Sequence, residues 1–87
     1  AVQLVGLDEM QVEHNVTLFP NPVRNTLFID ANQQNYELIS LTDLSGRVIM
    51  DLSGKKDKIN LSNLKSGVYL LQMKLDSKVL NFKVIKQ

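Results

Sequence analysis

Apolar and polar residues alternate with a period of two along most of the chain, and turn-forming residues break that alternation every few positions. A period of two sends successive side chains to opposite faces of a strand, so the pattern predicts β-structure and no long helix. Val16–Phe19 reads as a short strand stopped by Pro20-Asn21-Pro22, and Thr26–Asp30 as a second, bounded by the polar run Ala31–Asn35. Tyr36–Asp43 is a third, with Ile39 and Leu41 on one face and Leu38 on the other. Arg47–Leu52 and the very short Ile59–Leu61 follow, on either side of the loop Ser53–Asp57. Leu61–Ser66 leaves room for one helical or 3₁₀ turn. Val68–Asp76 alternates most clearly, with Tyr69, Leu71, Met73 and Leu75 on one face and Gln72, Lys74 and Asp76 on the other. A hairpin through Asp76-Ser77-Lys78 leads to a last strand with Leu80, Phe82 and Val84 inside and Asn81 and Lys83 outside. Seven strands at this spacing predict an all-β, immunoglobulin-like antiparallel sandwich rather than a barrel. Residues 1–15 read as a linker or a first strand, with Val2, Leu4 and Leu7 as the strand and Asp8–Asn15 as the linker. Residues 16–87 form the domain.

Composition narrows the chemistry. A chain of 87 residues holds one domain, which buries roughly 60–65% of its unfolded surface. It contains no cysteine, so no disulfide and no cysteine-ligated zinc is expected. No apolar run is long enough to span a bilayer, and residues 1–30 lack the basic start and apolar block of a signal peptide. The net charge of +1 gives no basis for nucleic-acid binding. That total hides a split. Residues 1–51 set seven acids against Arg24 and Arg47, whereas all eight lysines fall in residues 52–87 with only Asp57 and Asp76 to oppose them. Edge lysines that discourage aggregation explain such a run most simply. The sharper reading is a basic C-terminal face that docks on an acidic partner or on an anionic glycolipid of a membrane surface.

Three local features need a physical reason. Pro20 and Pro22 each fix φ and lack an N–H, so Pro20-Asn21-Pro22 suits a bend between strands better than an exposed recognition loop. Asp43-Leu44-Ser45-Gly46-Arg47 predicts a three-residue hairpin loop, with Asp43 accepting from a backbone N–H two residues on and Gly46 taking positive φ. Leu64-Lys65-Ser66-Gly67-Val68-Tyr69 has the form of a tyrosine corner, which makes Tyr69 structural rather than a ligand platform. Catalytic constellations are missing. His14 is the only histidine, no nucleotide-binding glycine motif occurs, and the chain is too small to build a convincing carboxylate cleft. No enzyme activity, cofactor or metal is expected. Asn15-Val16-Thr17 and Asn60-Leu61-Ser62 match the glycosylation triplet, a pattern frequent by chance.

Taken together, Leu18–Pro22, Asp43–Ile49, Leu64–Leu71 and the closing Lys83-Val84-Ile85-Lys86-Gln87 resemble the type A C-terminal sorting domains of the type IX secretion system in Bacteroidetes. The resemblance runs from about Val16 to Gln87. It implies the last segment of a larger cargo protein, passing through the periplasm and ending at the outer membrane, on the cell surface or in the medium. The implied partners are the outer-membrane translocon, its shuttle protein and a surface sortase that cuts the domain from its N-terminal cargo. The domain itself inserts into no membrane. By the same resemblance Pro20, Asn21, Pro22, Asp43, Gly46, Arg47, Gly67 and Tyr69 hold the sandwich, and Lys83, Val84, Ile85, Lys86 and Gln87 are the stretch read by the translocon. Removing Ile85–Gln87 is then expected to block export and leave the fold intact. The alternative is a generic immunoglobulin-like binding or adhesion module, which calls for an exposed aromatic platform or an acidic metal cluster in the loops. The three phenylalanines are expected on core faces instead.

Overall fold

The computed structural model of the chain describes residues 11–54 and 57–87. Their strands are β1 (Gln11–Glu13), β2 (Val16–Phe19), β3 (Thr26–Asp30), β4 (Tyr36–Asp43), β5 (Val48–Gly54), β6 (Lys58–Asn60), β7 (Gly67–Leu75) and β8 (Lys78–Lys86). They form two antiparallel sheets of four, in the orders β1-β2-β3-β6 and β5-β4-β7-β8. With β1 set aside, these orders match the A-B-E and C′-C-F-G sheets of an immunoglobulin-like sandwich. Val16, Leu18, Leu27 and Ile59 from one sheet join Leu38, Leu41, Leu71, Met73, Phe82 and Val84 from the other in one core, none more than 3% exposed.

Three expectations change. The segment Asp8–Asn15, read as linker, contains β1, which pairs Gln11 with Leu18 and Glu13 with Val16. His14 and Asn15 close that hairpin with φ of 55° and 61°, the two left-handed residues of a type I′ turn. The strand expected at Val2, Leu4 and Leu7 lies outside the described residues. Second, Leu38 and Leu41 are both buried while Ile39 is half-buried. The register of β4 against β7 shifts between Leu38 and Ser40, and this bulge at Ile39 resets which face each later residue takes.

Third, only Phe82 is a core phenylalanine. Phe19 and Phe28 are 37% and 39% exposed. They oppose each other across β2 and β3 and stack at 5.6 Å between centroids. Leu18, Leu27 and Ile29 take the inner face, so alternation puts their neighbours Phe19 and Phe28 outside. Each ring covers one face of the other, so the pair is a cross-strand contact on the outer face of this sheet.

The β4–β5 hairpin forms as its sequence requires. Asp43 N–H donates to the Arg47 carbonyl at 3.0 Å, and Gly46 N–H to the Asp43 carbonyl at 3.0 Å. Gly46 has φ of 92°, and a Cβ there would touch nothing within 4 Å. Backbone conformation, not space, therefore selects glycine.

Candidate functional site

The four motif stretches, far apart in sequence, meet at one end of the β5-β4-β7-β8 sheet. In register, Asp43 of β4 lies beside Tyr69 of β7, and Tyr69 lies beside Val84 of β8. Gly67 pairs with Lys86. The Tyr69 hydroxyl donates to the Lys65 carbonyl at 2.7 Å, the bond that defines a tyrosine corner. Gly67, with φ of 157°, carries the chain from the preceding turn into β7.

The Pro20–Pro22 stretch, in which a cis peptide bond precedes each proline, crosses from β2 to the outer edge of β8. Asn21 is 3% exposed. Its amide donates to the Lys83 carbonyl at 3.0 Å and accepts from Ile85 N–H at 2.8 Å. Val23 continues the contact: its N–H donates to the Ile85 carbonyl at 2.8 Å, and Gln87 N–H donates to its carbonyl at 2.9 Å. The prolines on either side of Asn21 have no N–H to give, so the Asn21 side chain supplies the donor and acceptor a strand residue would have offered. That shortage of donors was the available clue to the contact in the sequence. The role of Val23, by contrast, left no local signal.

The stretch Lys83–Gln87 is therefore the end of a paired strand, closed on both edges. Lys83 and Gln87 are exposed, Ile85 is half-buried and Val84 is fully buried. Lys86 is 7% exposed and donates through Nζ to the Gln87 carbonyl at 2.8 Å. Arg24 Nε reaches Gln87 Oε1 at 3.5 Å.

At the hairpin tip, one carboxylate organises the whole loop. Asp43 Oδ1 accepts from Ser45 N–H at 3.0 Å, Ser45 Oγ at 2.6 Å and Arg47 N–H at 3.0 Å. Oδ2 pairs with Arg47 Nε at 3.2 Å. The Ser45 hydroxyl, with help from the Arg47 and Ser45 amides and the Arg47 charge, holds the Asp43 carboxyl below its usual value. Its folded pKa is thus lower than its unfolded one. The contribution to stability is present above the unfolded value and is lost as pH falls through the folded one. In an acid titration followed by NMR, the Ser45 and Arg47 amides are expected to shift with a midpoint below the roughly 3.9 of a free aspartate. A midpoint at or above that value would remove this account of the turn. The same local pattern recurs where Asp51 accepts from Ser53 and Asn60 from Ser62.

A profile of the secretion-system C-terminal sorting domain family matches residues 17–87. The chain belongs to that family. The matched span begins at the second residue of β2, runs through β8 and takes in every motif residue just described. The sorting domain is also 30% identical, over 77 residues, to part of an endo-acting ulvan lyase of Formosa agariphila. That alignment covers 84% of this chain and 15% of the lyase, so the chain spans a small part of its relative's length. No solved structure matches it. Among its described residues, no cluster of three or more His, Cys, Asp or Glu side chains could hold a metal ion. A shallow groove lined by Asn35, Tyr36, Glu37, Lys74 and Asp76 lies at the opposite end of β4 and β7, away from the motifs. His14 is exposed in the β1–β2 turn.

Proposed function

We propose that this sorting domain is the address by which the type IX translocon and its shuttle protein recognise a larger cargo, and that the address is a folded surface rather than a linear tail. One observation carries the reading: the four family motifs, spread over nearly seventy residues, meet at a single end of one sheet. On this reading the exposed Lys83 and Gln87, with half-buried Ile85, face the receptor. Val84 and Lys86 anchor the strand that displays them. The cargo precedes β1, passes through the periplasm with the domain, and is released at the cell surface when a sortase cuts. Since β1 pairs with β2, a cut that leaves the sandwich whole falls before Gln11, and the domain then runs from there to Gln87.

The test is a fusion of residues 1–87 to a periplasmic reporter, expressed in a host with this secretion system and in the same host lacking the translocon. Reporter is expected at the surface only in the first strain. N-terminal sequencing of the cleaved domain is expected to begin upstream of Gln11. A reporter held in the periplasm of both strains would overturn the reading.

A further inference from the structure

The outer face of the β5-β4-β7-β8 sheet differs between its two halves. Cross-strand partners in an antiparallel sheet share a face, so the register assigns the rows. The half beside the motifs carries the row Val48, Thr42, Leu70 and Lys83, then the row Val68 and Ile85. The far half carries Asp51, Ser40, Gln72 and Asn81, then Glu37, Lys74 and Val79. The motif half is thus apolar with no carboxylate in its rows, and the far half is polar with acids in both.

The apolar half is also open. Val48 is 58% exposed, and Leu44 at the adjoining hairpin tip is 68% exposed. Leu70, Val68 and Ile85 are half-buried. Lys83 stands exposed at one side, and the Arg47–Asp43 ion pair, with the Arg47 side chain 77% exposed, stands at the other. An exposed apolar strip flanked by a lysine and an ion pair is what a partner would cover.

We propose that this strip, from Leu44 and Val48 across Leu70 to Lys83, is the contact surface for the receptor, and that the receptor offers it an apolar protein surface with a carboxylate facing Lys83. The proposal rests on the sorting reading and deepens it by naming where the contact lies and what chemistry meets it. A lipid or lipopolysaccharide surface fits less well. Attraction to anionic headgroups needs a cluster of about 4–8 basic side chains, and this half of the face offers Lys83 beside an Arg47 already paired with Asp43.

Surface export of the reporter fusion tests it with Val48→Asp and Lys83→Glu, beside Lys58→Glu on the opposite sheet as control. Val48→Thr and Lys83→Gln keep strand propensity and serve if the sharper changes unfold the domain, which thermal melting reports. Each strip variant that melts like the parent is expected to lower surface reporter about 10-fold, the effect of losing a central contact, with the control unchanged. Folded strip variants exported within about twofold of the parent would overturn the strip while leaving the sorting reading in place. A parent fusion that is not exported takes both down. In a parallel arm, the purified domain is mixed with vesicles of anionic phospholipid and of lipopolysaccharide. No retention is expected, and retention abolished by Lys83→Glu would overturn a protein partner in favour of lipid.

Discussion

A chain truncated after Val84 is expected to lose a large share of its stability, not only its export. The cut removes the Ile85 N–H that Asn21 accepts, the Ile85 carbonyl that Val23 N–H reaches and the Gln87 N–H bonded back to Val23. It also takes away the pairing of β8 with Gly67 and Val68 and the buried stem of Lys86. Three hydrogen bonds at about 0.5–1.5 kcal/mol each, plus polar groups left without partners, amount to about 3–5 kcal/mol. A domain of this size holds roughly 4–13 kcal/mol in total. The midpoint of thermal unfolding is expected to fall by about 15 °C or more. The sequence had pointed the other way, toward a short peptide that could be removed from an intact fold. Loss of export on truncation would therefore not by itself locate a recognition surface. A truncated chain that melts with the parent would refute this structural account of the last strand.

Asn21→Ala is expected to be nearly as damaging from the other side of the same contact. The amide is buried and makes two bonds to the backbone of β8. Alanine leaves the Lys83 carbonyl and the Ile85 N–H without those partners, at about 1–3 kcal/mol per unsatisfied group, so a loss of about 2–4 kcal/mol is expected after partial rescue by water. Asn21→Asp keeps an acceptor for Ile85 N–H but sets a carboxylate oxygen against the Lys83 carbonyl, and is expected to destabilise as well. Urea unfolding of the three proteins measures both effects. Equal midpoints for parent and Asn21→Ala would show that the Pro20–Pro22 stretch is a mere bend.

Much of this architecture is legible in the sequence because alternation is a local signal. All seven expected strands occur, and the Asp43–Gly46 loop and the tyrosine corner follow from residues within a few positions of one another. What escaped the sequence has two causes. Some features break the local rule: the bulge at Ile39 moves Leu41 to the same face as Leu38, and β1 has three residues, too few to show a period. Others are contacts between distant parts of the chain. Asn21 finds its partners 62 and 64 residues away, and nothing near Asn21 says which edge it will meet. Burial of Lys86 beside Gly67 has the same origin. The exposed Phe19 and Phe28 are different, because strict alternation against Leu18, Leu27 and Ile29 already placed them outside.

The clasp between Asn21 and β8 also sets an order of events. The residue that secures the last strand belongs to the first quarter of the chain, so it has nothing to bind until the last few residues arrive. Contacts of such long sequence separation form late and make folding slow and cooperative. A polypeptide cut short during synthesis or transport would carry Asn21 and Val23 without the strand edge they hold.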